Sequence, residues 1–184
     1  MVVPIDDNKV WQYQSKNGDR LSKIVEKDKD IVNTKPEMAQ YLISLIKFKK
    51  NDIVLEPCKG TGSFYDAFPK YTINKWCEIN CQRNFFDFNE KVDYVISNPP
   101  FVPRKLFWQF QQHAMSICRK EIYWLINLSS LNVFTSKRLK EMHELGWYIN
   151  SLHIVEDRRW FGRYCFIKIS KKNNGVFTYC DTRF

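Results

Sequence analysis

Histidine is scarce in this chain, and its cysteines are scattered. Only three of the 184 residues are histidine, and the six cysteines include no Cys-x-x-C pair. Metal sites built from nitrogen and sulfur ligands usually require such spacing. We therefore expect no bound metal, and free buried thiols rather than three disulfides. The cysteines are Cys58, Cys77, Cys81, Cys118, Cys165 and Cys180.

Long apolar runs are also missing. No stretch approaches the roughly 20 apolar residues that span a bilayer, and the segment Met1–Asp6 lacks the charged and apolar regions of a signal peptide. We expect a soluble intracellular protein, in cytoplasm or nucleus. A chain of 184 residues fits one domain. We expect a polar lead-in segment at 1–32 and the folded domain at 33–184.

Acidic residues become rare in the second part of the chain. Residues 1–100 hold 15 Lys and Arg against 14 Asp and Glu, whereas residues 101–184 hold 14 against 6. A polyanionic partner such as nucleic acid fits this excess, because phosphates neutralised by cations release counterions. Solubility alone also accounts for a basic surface, so charge leaves both interpretations open.

Glycine is infrequent as well, with six residues, and two of them stand close together after an apolar run. Ile53-Val54-Leu55 predicts a strand that enters a turn containing Gly60 and Gly62, and a helix follows. Glycines in such a turn let the backbone approach a ligand closely. A phosphate-binding loop is excluded here, because no Gly-Lys-Ser/Thr follows at the required spacing.

The stretch 92–101 is the second informative place. Val92 to Ser97 reads as a buried strand, and Pro99 and Pro100 then forbid further pairing. Each proline also restricts the residue before it. The turn therefore holds the Asn98 side chain and the Pro99 carbonyl as a rigid pair of hydrogen-bond acceptors at a strand end.

These two stretches resemble the motifs of the class I S-adenosyl-L-methionine (SAM)-dependent amino-methyltransferases, the family that includes the DNA adenine-N6 methyltransferases. Glu56-Pro57-Cys58-Lys59-Gly60-Thr61-Gly62 is similar to the cofactor loop, and Asn98-Pro99-Pro100-Phe101 to the catalytic loop. The resemblance implies a Rossmann-like α/β fold with a mostly parallel seven-stranded sheet and helices on both faces. The alternation of predicted strands and helices favours the same class.

The resemblance also assigns a cofactor site for SAM. Gly60 and Gly62 make room for it, Glu56 orders its amino group, and Glu78 accepts the ribose hydroxyls. Asp87, at the end of a strand predicted over 83–88, accepts from the adenine amino group, and Phe86 or Phe88 packs on the ring. Thr34 holds the methionine end of the cofactor or, alternatively, either Thr34 or Asn33 caps the helix that follows. The expected cofactor residues are Thr34, Glu56, Pro57, Cys58, Gly60, Gly62, Glu78, Asp87, Phe88 and Asn98.

The catalytic residues implied are Asn98, Pro99, Pro100 and Phe101. The Asn98 side-chain oxygen and the Pro99 carbonyl accept hydrogen bonds from the two hydrogens of an adenine amine. The lone pair of the nitrogen then points at the sulfonium methyl, which is catalysis by positioning. The base must be extruded or already single-stranded, with Phe101 stacked on it.

A late cluster mixes arginines and aromatic rings. Such residues contact phosphates and stack on an unpaired base, although packing beside the strand Tyr164–Ile169 also explains the rings. Either Trp160 or Phe161 is expected to line the base pocket. The candidate substrate residues are Arg104, Arg158, Arg159, Trp160, Phe161 and Arg163.

These features favour methyl transfer to N6 of adenine in DNA. RNA is a close alternative because it offers unstacked bases. Methylation of a protein glutamine amide and an inactive nucleic-acid-binding subunit also stay open. Few residues follow Ile169, so we expect target recognition to come from short loops, the N-terminal segment, a second copy of the chain or a partner subunit.

Overall fold

The computed structural model describes residues 33–101, 103–157 and 163–174, which belong to the compact unit that begins at Asn33. The strands are β1 (Ile53–Glu56), β2 (Ile73–Trp76), β3 (Val92–Ser97), β4 (Cys118–Asn127), β5 (Tyr148–Val155) and β6 (Tyr164–Ser170). The α-helices are α1 (Pro36–Ser44), α2 (Ser63–Ala67), α3 (Arg104–Ile117) and α4 (Ser136–Glu144). Short 3₁₀ helices cover Ile79–Cys81, Phe85–Asp87 and Leu128–Val133.

The six described strands form one sheet in the order β2-β1-β3-β4-β6-β5. The first four are parallel, and β6 runs antiparallel between β4 and β5. The α/β class with a mostly parallel sheet is confirmed. The expected strand count of seven is too high for the described residues.

The difference lies at residues 83–88, where the prediction of a strand ending at Asp87 is wrong. Phe85–Asp87 forms a 3₁₀ helix, and the Asn84 side chain accepts from the Phe86 N–H at 3.2 Å. Asparagine competes in this way with regular backbone pairing. The ring of Phe85 packs against Phe110 and His113 of helix Arg104–Ile117, so it is buried by packing on a helix and not by a position in the sheet.

The centre of the sheet is buried on both faces. All six residues of β3 are buried, as are Ile122 to Ile126 of β4. Such continuous burial requires layers on both sides of the sheet. Trp124 of β4 is fully enclosed, and its indole N–H donates to Gln111 of α3 at 2.7 Å.

Asp93 is an acidic residue inside the buried strand β3, and its polar contacts explain how it can be buried there. Its carboxylate accepts from the Ile53 N–H at 2.9 Å and lies 3.3 Å from the Lys120 ammonium. Lys120 also pairs with Asp52 at 2.5 Å. This network lies where β1 and β3 begin, opposite the strand ends that carry the predicted site.

Helix α1 begins differently from the prediction. The residue that caps its start is Lys35, with Pro36 in the first turn, and no side chain caps the helix. Thr34 and Asn33 are therefore not the caps. A residue before proline is pushed out of the helical region, and Lys35 accordingly has φ −67° and ψ 142°.

Within the described ranges, no helix combines the length and apolar character needed to cross a bilayer. The five cysteines in those ranges, Cys58, Cys77, Cys81, Cys118 and Cys165, are free thiols. Cys180 lies outside the described residues.

Candidate active site

The loops after β1, β2 and β3 meet at one edge of the sheet, because these strands are adjacent and parallel. The Lys59 N–H donates to the Cys77 carbonyl at 2.9 Å. The Ser97 hydroxyl donates to the Cys58 carbonyl at 3.5 Å. The two motifs found in the sequence are thus brought into contact, and ligands of open α/β sheets bind at such an edge.

The turn after β1 depends on its glycines. Gly60 and Gly62 have φ of +49° and +91°, a region that side chains disfavour. The Gly62 N–H donates to the Lys59 carbonyl at 2.7 Å and closes the turn. A Cβ on Gly62 would lie 3.3 Å from both the Asp66 Oδ2 and the Lys59 Cε, so these two side chains already crowd the position and a larger residue would push them aside.

Glu78 joins the turn after β2 to the glycine turn. Its carboxylate accepts from the Gly60 N–H at 2.8 Å and from the Asn80 N–H at 3.1 Å. A carboxylate offers about four acceptor positions. Two further donors, such as the two hydroxyls of a ribose, can therefore bind Glu78 without breaking these contacts.

Trp76, which sequence patterns did not single out, borders Glu78. The Lys59 ammonium lies 4.8 Å from the centroid of the indole and the Arg83 guanidinium 4.1 Å from it. Cation–π contacts of this kind fix both the ring and the cations. Nothing in the spacing of Lys59, Trp76 and Arg83 along the chain indicates that they meet.

Glu56 is the last residue of β1 and is almost fully enclosed, with 2% of its surface exposed. Its carboxylate accepts from the Tyr65 N–H of α2 at 2.7 Å. Burial raises the pKa of Glu56 to about 9, although the Tyr65 N–H and the nearby Lys59 act in the opposite direction. Because Gly62 has no side chain to cap α2, Glu56 supplies that acceptor from the strand.

The turn at residues 98–101, which the sequence predicts to be catalytic and which is called the catalytic turn below, follows β3 as expected. Asn98 is half-buried, Pro99 is buried and Pro100 is exposed. The Asn98 Nδ2 donates to the Thr34 hydroxyl at 3.4 Å. The Phe101 ring meets Tyr164 of β6 edge-on, with centroids 6.2 Å apart.

A cavity of about 340 Å³ opens between the start of α1 and the helix α2. Its lining includes Asn33, Thr34, Lys35, Thr61, Ser63 and Asp66. The Lys35 ammonium also lies 3.7 Å from the Asp157 carboxylate that follows β5. One cation, one carboxylate and several hydroxyls thus face a single small space.

The remaining predicted cofactor residues lie near the turn after β2. Asp87 is exposed and Phe88 is half-buried, with the Phe88 carbonyl accepting from His113 at 2.9 Å. Phe86 packs against Phe110 at 5.1 Å, so its ring belongs to the aromatic cluster.

The structure describes two of the predicted substrate residues. Arg104 is exposed at the start of α3, directly after the catalytic turn, and Arg163 is exposed before β6. A cation at a helix start faces the positive end of the helix dipole, which is unfavourable by about 0.3–1 kcal/mol. Arg158, Arg159, Trp160 and Phe161 lie outside the described residues.

No protein-family model matches the chain, and no curated protein matches its sequence. Solved structures do match its fold. A candidate RNA methyltransferase from Pyrococcus horikoshii has a TM-score of 0.54 at 17% identity, covering 73% of this chain and 82% of that chain. The Mtq2–Trm112 complex of E. cuniculi, which methylates the termination factor eRF1, contains a chain with a TM-score of 0.54 at 16% identity, covering 74% and 94%.

A third similar structure holds the cofactor. Magnesium protoporphyrin IX methyltransferase from Synechocystis PCC 6803, with bound SAM, has a TM-score of 0.52 at 10% identity, covering 74% of this chain and 78% of that chain. At such identities the likeness establishes the fold. The chain has the Rossmann-like fold of the class I methyltransferases.

Proposed function

We propose that the chain is a SAM-dependent methyltransferase that modifies the N6 amino group of adenine in nucleic acid, with DNA as the favoured polymer. One observation carries the proposal. The Asn98-Pro99-Pro100-Phe101 turn lies against the glycine turn of β1, through the contact between Ser97 and Cys58. A methyl donor at one turn is thereby adjacent to an amine acceptor site at the other.

The cofactor residues divide along the length of SAM. Glu78 binds the ribose hydroxyls with the acceptor positions that its contacts to the Gly60 and Asn80 N–H groups leave available. Trp76 borders the nucleoside, and Asp87 and Phe88 stand at the adenine end. Gly60 and Gly62, between Glu78 and the cavity, leave the backbone open to the centre of the cofactor.

The amino-acid end of SAM fits the cavity between α1 and α2. This end carries an ammonium and a carboxylate, and the cavity presents Asp66 and Lys35 together with the Ser63 hydroxyl. Glu56, which the sequence assigned to the ammonium, is enclosed and turned toward the Tyr65 N–H. Its burial favours Asp66 as the residue that contacts the ammonium.

The transfer itself requires little acid–base chemistry. The Asn98 Oδ1 and the Pro99 carbonyl accept the two amine hydrogens, and the nitrogen attacks the sulfonium methyl. The sulfur–methyl bond breaks as the nitrogen–methyl bond forms, and its electron pair stays on sulfur to give S-adenosylhomocysteine. The nitrogen then loses one proton to solvent. Rate enhancement comes from positioning and fixed dipoles.

The choice of nucleic acid is supported by the exposed cations beside the catalytic turn. Arg104 lies three residues after Phe101, and the chain beyond residue 100 holds 14 cationic against 6 acidic residues. Phosphate binding would stabilise Arg104 at the helix start where it is otherwise unfavourable. The similar structures include proteins that act on tRNA and on a termination factor. The experiment below therefore includes RNA and protein as possible substrates.

The test incubates the protein with methyl-labelled SAM and, separately, duplex DNA, single-stranded DNA, RNA and a protein extract. The labelled product is digested and its modified unit identified. We expect N6-methyladenine in DNA. Label in RNA or in protein glutamine would identify that polymer as the substrate in place of DNA. No label despite calorimetric SAM binding would point to a missing partner subunit. Absence of SAM binding would refute the methyltransferase itself.

Substituting Asp66 with asparagine tests the amino-acid end. We expect SAM affinity to fall about tenfold, which corresponds to about 1.4 kcal/mol, because a neutral amide replaces the partner of the ammonium. Affinity for 5′-methylthioadenosine, which lacks the amino-acid end, should stay unchanged in the same calorimetric titration. Glu144→Gln, an exposed carboxylate at the end of α4, is the matched control. Equal loss for both ligands would contradict the assignment.

A further inference from the structure

Thr34 links the start of the folded unit to the catalytic turn, 64 residues further along the chain. It is 7% exposed, and its hydroxyl accepts from the Asn98 Nδ2 at 3.4 Å. Its carbonyl accepts from the Ser63 hydroxyl of α2 at 2.7 Å. Thr34 is thus held from two sides, by the catalytic turn and by the helix that follows the glycine turn.

We propose that Thr34 is a positioning residue that helps to set which end of the Asn98 amide faces the reacting amine. This inference rests on the proposed function. The role differs from helix capping by Thr34, since α1 is capped at Lys35 without any side chain.

The planar amide of Asn98 fixes its two polar ends relative to each other. The oxygen and nitrogen of the Asn98 side chain lie in one plane on opposite sides of the bond from Cβ to Cγ. When Nδ2 donates to the Thr34 hydroxyl, Oδ1 is directed to the other side of that plane. An amine nucleophile carries hydrogens, so it needs this oxygen. The flipped amide would present two N–H donors to an N–H donor.

At 3.4 Å the contact is a long hydrogen bond. A neutral hydrogen bond contributes about 0.5–1.5 kcal/mol, so its loss weakens the preference for this orientation of the amide. Thr34 also lines the cavity assigned to the amino-acid end of SAM, and valine keeps the shape of that wall. Loss of the hydroxyl should therefore lower turnover more than cofactor binding.

The experiment compares Thr34→Val, which keeps the shape and removes the hydroxyl, with Thr34→Ser, which keeps it. We expect the kcat of Thr34→Val to fall by roughly two- to tenfold, the range that a neutral hydrogen bond allows, while the KM and calorimetric Kd for SAM change less. Thr34→Ser should recover most of the turnover. Thr72→Val is the matched control, because Thr72 is also buried and donates its hydroxyl to the Pro69 carbonyl at 2.6 Å, and its kcat should equal that of the wild type.

The outcomes separate this inference from the proposed function. A wild type that neither binds SAM nor transfers its methyl group refutes the function. With an active wild type, a tenfold weaker SAM Kd for Thr34→Val at unchanged kcat would make Thr34 a cofactor ligand and overturn the positioning role. Full turnover in Thr34→Val, or failure of Thr34→Ser to restore it in a protein of wild-type thermal stability, would overturn it too.

Discussion

Replacing Asn98 with alanine should lower the rate of methyl transfer about 100- to 1,000-fold. Removing one fixed polar group from a preorganised site has effects of this size. The alanine variant keeps the proline-stiffened backbone and the Pro99 carbonyl, so only one of the two acceptors on the amine is lost. SAM should still bind within about threefold of the wild type, because Glu78 and the glycine turn are unchanged.

Single-turnover rates with methyl-labelled SAM and the labelled polymer measure this effect, and calorimetry measures SAM binding. Asn132→Ala, an exposed asparagine in the 3₁₀ helix Leu128–Val133, controls for the loss of an amide as such. Asn98→Ala turnover within threefold of the wild type would rule out this turn as the catalytic site. Such a result with intact SAM binding would leave the cofactor assignments standing.

The catalytic turn could be predicted because its signals are local. Two successive prolines end a strand wherever they occur, and β3 does end at Ser97. The apolar run of β4 and the glycine turn after β1 are equally direct, since continuous hydrophobicity and a missing Cβ act within a few residues. These features were sufficient to predict the fold class, and to predict that the two motifs lie at one edge of the sheet.

The contacts that complete the site could not be predicted, because they join distant residues through single hydrogen bonds. Thr34 and Asn98 are 64 positions apart, and neither lies in a periodic pattern that requires the other. The incorrect strand over 83–88 has a similar cause. Its aromatic residues looked like a sheet surface, whereas Asn84 starts a 3₁₀ helix and Phe85 packs on α3.

Glu56 makes a structural contact that its motif did not predict. The sequence placed its carboxylate on the cofactor, but the side chain lies under α2 and holds the Tyr65 N–H. An enclosed carboxylate is costly when ionised. With its pKa raised to about 9, Glu56 takes up a proton on folding at neutral pH.

Substituting Glu56 with glutamine should therefore stabilise the free protein at neutral pH. The unfolded chain ionises Glu56 near the ordinary glutamate pKa of 4.5, so between that pH and about 9 the folded state holds more protons, and wild-type stability falls as pH rises. At pH 7 the cost is on the order of 3 kcal/mol, since each pH unit corresponds to about 1.4 kcal/mol. Glutamine has the shape of the protonated acid and avoids this cost.

Urea denaturation of both proteins at pH 5, 6, 7 and 8 measures the effect as a difference in the free energy of unfolding. The difference should be small at pH 5 and should grow by up to ~1.4 kcal/mol for each pH unit. Taking the difference removes groups that titrate alike in both proteins, such as Asp52, whose pairing with Lys120 and Lys49 holds its pKa below the ordinary value despite burial. A glutamine variant that is less stable than the wild type at pH 7, with no dependence of the difference on pH, would mean that Glu56 is ionised in the folded protein. In that case its negative charge would be available to the ammonium of the cofactor, as the sequence resemblance implied.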